Sequence, residues 1–487
     1  MHRLSSIIIL VIITGYSLFA QEISPKQFGL LTANSDIERY YVLLKTHQQA
    51  VNNGESVSYA GIDRIDIEIP QNAKSIPLPV HVDFSNVTLN VKNNQQNCFL
   101  FEIKQVAQQI DINKKRIKRL RFNNKVLRRG KILLIIKDQN PWVSKRKGYG
   151  YGATREDILL LNHGKPINKP ISSYYTSESS PLYSYCELTN VNKEYSDLIF
   201  ERNPESTFIT NLVCVENQND ITFKNIKIVT PESKLSGDGA FTINNCTNLL
   251  FDQVIIEGTY SSETESGYGI VLNNVWNAKF KNLMASGKWG IFGNNNISCI
   301  TIENSDINRF DIHCYGKDVY CVNTVFRNLY NQFSSFYGNL VFEHCIFDNF
   351  VPVLFESTYS AYTPFEIVIK DCVFNVDLKR PYLIHAGSYY ENETRKRHEL
   401  MKTSWPNIYI NGLTINLHNG KDFFVFYVKN GELPTIADFT QISFDNIVIN
   451  SDNPVSVYLS NKVVPTEKLL NISVSNSNFD SIIRMEK

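Results

Sequence analysis

Beyond its first twenty residues the chain has no apolar run approaching the ~20 residues that a membrane-crossing helix needs, so the body of the sequence carries no helical span. No charge of either sign dominates. Lys and Arg number 49 against 48 Asp and Glu, a net charge of +1, and no global field steers the protein to nucleic acid or a membrane surface. With hydrophobic residues at 43% and charged residues at 20%, wholesale disorder is excluded and a large core is available. Helical periodicity is scarce after residue 52, which removes helical and leucine-rich repeats. No Trp-Asp or Kelch mark recurs at the ~40–50-residue period of a propeller. The glycine-rich stretch 148–153 does not follow a strand and open a helix, so it is no phosphate loop.

What is present is a recurring phrase of an apolar residue, any residue, a small polar residue, then apolar residues again. It reads Phe223-Lys224-Asn225-Ile226, Phe251-Asp252-Gln253-Val254, Phe280-Lys281-Asn282-Leu283 and Ile302-Glu303-Asn304-Ser305. It continues at Phe342-Glu343-His344-Cys345, Ile369-Lys370-Asp371-Cys372 and Phe444-Asp445-Asn446-Ile447. A period of roughly 20–30 residues signals a solenoid. Each phrase alternates like a strand and places a small polar residue at a bend, and Asn tolerates the left-handed backbone such bends need. One coil cannot bury its apolar row alone, whereas stacked coils bury it continuously. The expected fold is an all-β solenoid, a parallel β-helix.

The start reads as an export signal over residues 1–20: Arg3, an apolar run from Ile7 to Thr14, then Ser17 to Ala20 before Gln21. Residues 21–60 hold a helix over 36–52, with Asp36 as cap, Ile37, Tyr40, Tyr41, Leu43, Leu44 and Ala50 on one face, and Gly54 after its end. It is the natural cover for the first coil. The solenoid fills 61–487, regular from about Asp220, with long loops at about 100–200 and 381–406. Ten basic residues and no acidic ones lie between Lys114 and Lys131, either a solvated loop or a docking patch for an anionic polymer. Cys345 and Cys372 occupy the repeat slot of Ser305 and Thr324. Thiols there fit a reduced internal ladder, since buried cysteines behave as small hydrophobes.

Aligning coils on the phrase exposes one unusual row. In 310–316 Ile312 and Cys314 turn inward, which throws Asp311, His313 and Tyr315 outward. Neighbouring coils add Trp289, Ser335, Tyr337, Glu356 and His385, with Tyr359 and Tyr362 beside them and Arg309 and Arg327 at the edges. Acid–base side chains on rigid strands are candidates for a site, whereas His344, in a corner slot, reads as structural.

The repeats, capping helix and exported start resemble the pectin-lyase-like superfamily of right-handed parallel β-helices, and the exported glycan-degrading proteins of gut-type Bacteroidetes. The resemblance implies work on polysaccharide in a groove on an outward strand face. The aspartate trio, Gly-His-Gly and Arg-Ile-Lys of polygalacturonases are missing from the expected coils. Gly237-Asp238-Gly239 is the sole echo, and no calcium cluster is visible. Three readings follow. The first is a metal-independent lyase acting on an acidic, uronic-acid glycan. Arg309 or Arg327 would neutralise the carboxylate, His313 would be the base, and Tyr315 or Tyr337 the acid. The second is an inverting hydrolase using Asp311 and Glu356, with two coils between their own. The third is a non-catalytic glycan-binding solenoid. Trp289, Arg327, Ser335, Tyr359, Tyr362 and His385 would bind substrate. A monomer without metal, cofactor or nucleic-acid partner is expected.

Overall fold

The computed structural model describes residues 21–485 except 96–97, 113–121, 123, 146–151, 170–180, 190, 231–238, 258–266, 288–289, 334–335, 357–364, 378–380, 388–406, 419–421, 429–440, 461–471 and 480–482. Parallel pairing joins 25 strands into one ladder that winds upon itself, the right-handed parallel β-helix expected from the repeats. No described helix is long and apolar enough to cross a membrane.

The repeat phrase is the corner between two sheets, and its polar residue takes the left-handed conformation in every quoted copy. The φ angles are +51° at Asn225, +56° at Gln253, +53° at Asn282, +51° at Asn304, +53° at His344, +50° at Asp371 and +54° at Asn446. His344 is thus a corner residue, as read. A second set of corners is held by Asn217, Asn245, Asn274 and Asn296, with φ between +52° and +59°. Corners of this kind set the register, so each coil repeats the side-chain pattern of the last: Phe223 opposes Phe251, which opposes Phe280, which opposes Ile302.

The inward rows form one continuous core from Ile23 to Val457. Phenylalanines stack along it, with centroids 5.0 Å apart for Phe223 and Phe251 and 4.9 Å for Phe251 and Phe280. Each such ring contributes about 1.5–3 kcal/mol by burial. The small-residue slot holds Ser305, Thr324, Cys345 and Cys372, all buried. The Cys345 Sγ–H donates to the Cys321 carbonyl at 3.3 Å, and no described cysteine is bridged.

The helix α1 (Asp36–Asn53) covers the first coil. Its cap is Ser35, not Asp36: the Ser35 hydroxyl accepts from the Glu38 N–H at 3.2 Å, and Asp36 opens the first turn. Gly54, at φ +70°, ends it. Tyr40, Leu43 and Ala50 are buried, but Ile37 and Tyr41 are exposed. His47 is fully buried among Tyr59 and Phe101.

Parallel pairing begins at residue 22, far ahead of Asp220. The stretch expected as a loop at about 100–200 contains a five-stranded antiparallel sheet, led by Lys131–Lys145, Gly152–Asn162 and Pro181–Glu187. Its apolar run is unbroken because both faces are covered. Ile132, Leu134 and Ile136 enter a core of its own, while Leu133 and Ile135 pack toward Trp276 of the solenoid. Of the basic run, Lys131 pairs with Asp220 at 3.1 Å. Most of 114–123 lies outside the described residues, as do 148–151 and the excursion after residue 387.

Candidate functional site

Coil register puts the site on one outward face. Residue by residue, Val271 opposes Gly293, Gly293 opposes Asp311, Asp311 opposes Gln332, Gln332 opposes Leu354, and Leu354 opposes His385. Ile312 points into the core as expected. Two irregularities flank Asp311. Ile291 is an extra residue in the coil before, between the Gly290–Arg309 and Phe292–Phe310 pairs. His313 is an extra residue in its own coil, between the Asn294–Ile312 and Asn295–Cys314 pairs. Bulges re-aim side chains and gather beside functional sites. Here they turn Arg309 and His313 toward Asp311.

Asp311 is fully buried although it faces outward. Arg309 Nε stands 2.6 Å from its carboxylate and Arg309 Nη2 donates to Gln332 Oε1 at 3.2 Å. The guanidinium lies 4.2 Å from the Tyr330 ring centroid, a cation–π contact. Burial pulls the Arg309 pKa down, but the Asp311 carboxylate together with Tyr268 and Tyr330 outweighs it and the pKa ends above its ordinary value. Arg309 is therefore a fixed cation that holds Asp311, not a group reaching into solvent.

The sequence reading missed Tyr268. Its hydroxyl donates to Asp311 Oδ2 at 2.7 Å and lies 3.0 Å from His313 Nε2. An ionised carboxylate only accepts, so the hydroxyl proton goes to Asp311 and the oxygen accepts from Nε2–H. The tautomer is assigned from this pattern. The chain delivers Tyr268 from two coils away. Its carbonyl accepts from Gly239 N–H, the Gly269 carbonyl accepts from Phe241 N–H at 3.1 Å, and its ring lies across two glycines. A Cβ at Gly293 would come within 2.4 Å of the ring, and one at Gly290 within 3.0 Å. The signal was legible only as glycines at outward strand positions, Gly290 and Gly293, beside Gly267-Tyr268-Gly269.

The other expected residues divide. Arg327 is elsewhere, in a separate ion-pair cluster with Asp306 at 2.6 Å and Asp348 at 3.0 Å. His385 continues the Asp311 row three coils on. It is joined there by Tyr382, Phe424, Tyr427 and Tyr458, with Tyr382 and Tyr427 centroids 4.7 Å apart and His385 and Tyr427 5.3 Å apart. Tyr315, Tyr337 and Glu356 lie on strands whose backbone is described, but their side chains are not. Trp289, Ser335, Tyr359 and Tyr362 lie outside the described residues. Through Gln332 and Leu354 the register leaves one coil, not two, between those of Asp311 and Glu356. No cluster of potential metal ligands occurs among the described residues.

No protein-family model and no curated protein matches the chain. Among solved structures it is similar to the Gp54 tailspike of Acinetobacter baumannii bacteriophage AP22, whose structure is in complex with an A. baumannii capsular saccharide. That likeness has 10% identity over 93% of this chain and 79% of that chain, with a TM-score of 0.51. It is also similar to tailspike gp61 of Pseudomonas phage phi297, at 10% identity over 93% and 84% with a TM-score of 0.47. A GH87 α-1,3-glucanase catalytic domain in complex with nigerose matches at 11% identity over 94% and 69%, with a TM-score of 0.39. The first carries the likeness, which is one of fold: a parallel β-helix.

Proposed function

We propose that this protein is an exported, glycan-cleaving lyase that acts on a uronic-acid polymer by β-elimination, with His313 as base and Tyr268 as acid. One observation carries the reading: the Tyr268 hydroxyl sits between the Asp311 carboxylate at 2.7 Å and His313 Nε2 at 3.0 Å. Proton transfer needs groups within hydrogen-bond reach of each other and of the substrate. A glycan ligand is supported by the saccharide bound to the tailspike of like fold. The half-buried aromatic group of Tyr382, His385, Tyr427 and Tyr458 supports it too. It stands about 14 Å along the axis, three strand spacings from Asp311. A chain laid along the solenoid would reach both.

Arg309 and Arg327, named from sequence for the substrate carboxylate, are each committed to carboxylates of the protein. In this scheme Arg309 positions Asp311, and Asp311 orients Tyr268. The hydrolase reading fares worse, because Asp311 is sealed beneath Arg309 and Tyr268 and cannot meet a glycosidic oxygen or a water. The test is incubation with acidic and neutral glycans, following ultraviolet absorbance of an unsaturated product together with new reducing ends. Both signals together are expected. Reducing ends alone would replace the lyase by a hydrolase. Retention on a glycan gel with neither signal would leave a binding solenoid.

A further inference from the structure

We infer that the uronic acid this site cleaves carries its C5 hydrogen and C4 oxygen on the same face of the sugar ring. Those are the gluco and manno configurations; galacto, gulo and ido uronates place them on opposite faces. The inference rests on the lyase reading above and deepens it to a substrate class.

The argument is the distance between acid and base. Tyr268 Oη and His313 Nε2 are 3.0 Å apart. Groups attacking opposite faces of one ring must leave room for it. Two van der Waals contacts of ~3.5 Å would hold them roughly 7 Å apart. With Nε2 carrying the shared hydrogen, the basic nitrogen is Nδ1, one ring width beyond Nε2 and still well inside that span from the hydroxyl, so the pair works from one side. Neither partner is placed to swing round. The Tyr268 ring is seated on Gly290 and Gly293 and tied to Asp311, which Arg309 fixes in turn. His313 stands on a bulge of the same strand as Asp311, its ring edge-on to Tyr268 at 5.5 Å between centroids.

The step balances without an added reagent. His313 takes the proton from C5 at Nδ1, since Nε2 already carries the hydrogen it shares with Tyr268. The electron pair left behind forms the C4–C5 double bond, and the C4–O4 bond breaks. The departing oxygen takes the hydroxyl proton of Tyr268. His313 then passes a proton through the Nε2–Oη contact to Tyr268, which returns both groups to their starting charge. The products are an unsaturated uronate end and a new reducing end. The same contact that enforces one-sided attack also resets the enzyme.

Four polymers, each linked through O4 of the uronate, test this with the full-length mature protein: glucuronan, polymannuronate, polyguluronate and polygalacturonate. Unsaturated product is expected from glucuronan or polymannuronate, at rates at least ~100-fold above the other two. Tyr268→Phe should abolish product formation on the accepted polymer. Unsaturated product from polyguluronate or polygalacturonate at an equal or greater rate would overturn the configuration and leave the lyase standing. Absence of unsaturated product from all four, with or without reducing ends, would overturn the lyase reading and the configuration with it.

Discussion

Two stretches of the solenoid obey different rules. Between residues 217 and 303 polar positions repeat from coil to coil. Asn245 donates to Asn217 at 3.0 Å, Asn274 to Asn245 at 3.0 Å, Asn273 to Asn244 at 3.0 Å and Asn295 to Asn273 at 2.9 Å. One coil later the repetition stops. The position after Asn295 is filled across a bulge, His313 is inserted, and Arg309, Asp311 and Gln332 form bonds that are not repeated among the described residues of the neighbouring coils. A ladder spreads its stabilisation over many equal contacts, whereas the site concentrates charge in one. Repetition holds the stack together, and its interruption marks where the chain does something else.

The contrast predicts unequal costs. Arg309→Met should destabilise most, by about 3–5 kcal/mol, because it leaves the fully buried Asp311 carboxylate without its cation. Denaturant unfolding measures it, and a loss below ~1 kcal/mol would show that Asp311 does not depend on the pair. Asn245→Ala should cost about 2–4 kcal/mol, from two ladder bonds and an alanine forced to a positive φ. Asn245→Gly should recover the backbone share and not the bonds. Equal losses for the two variants would mean that the corner conformation contributes nothing.

Acid should act on the cap. Burial holds the His47 pKa down, to about 3 from the ordinary 6.5. The folded ring is neutral while the unfolded ring binds a proton between those values, so stability is full above pH 6.5 and falls as pH drops toward 3. The slope is about 1.4 kcal/mol per pH unit. His47→Phe, which cannot be protonated, should flatten the unfolding midpoint between pH 6 and pH 4 by comparison with wild type. An unchanged slope would remove His47 as its source.

The ladder was legible from sequence because it repeats: every corner residue picked from the phrase has a positive φ. His313 and Asp311 were legible because they depart from that repetition. Tyr268 was not, because it precedes its strand in a glycine-flanked segment and reaches the site across two coils, a contact that spacing within one coil cannot show. The antiparallel sheet was hidden for another reason. An insertion has no period, and a strand covered on both faces, such as Lys131–Lys145, does not alternate. The cap of α1 was misplaced by one residue because Ser35 and Asp36 both have capping side chains.

The smallest change tests the cradle. Gly293→Ala leaves the backbone unstrained but puts a methyl where the Tyr268 ring lies. Turnover should fall by about 10–100-fold, with a stability loss of about 1–3 kcal/mol from overpacking. A rate equal to wild type would mean that the ring position is not critical.

The most direct measurement is the initial rate of unsaturated-product formation by Tyr268→Phe on the best polymer, with the unfolding midpoint recorded alongside. Phenylalanine keeps the ring on its glycines and removes only the hydroxyl that joins Asp311 to His313. A fall of at least ~100-fold with the midpoint shifted by a few degrees or less is the predicted result. A rate unchanged from wild type would contradict the assignment of Tyr268 and His313 as the acid–base pair.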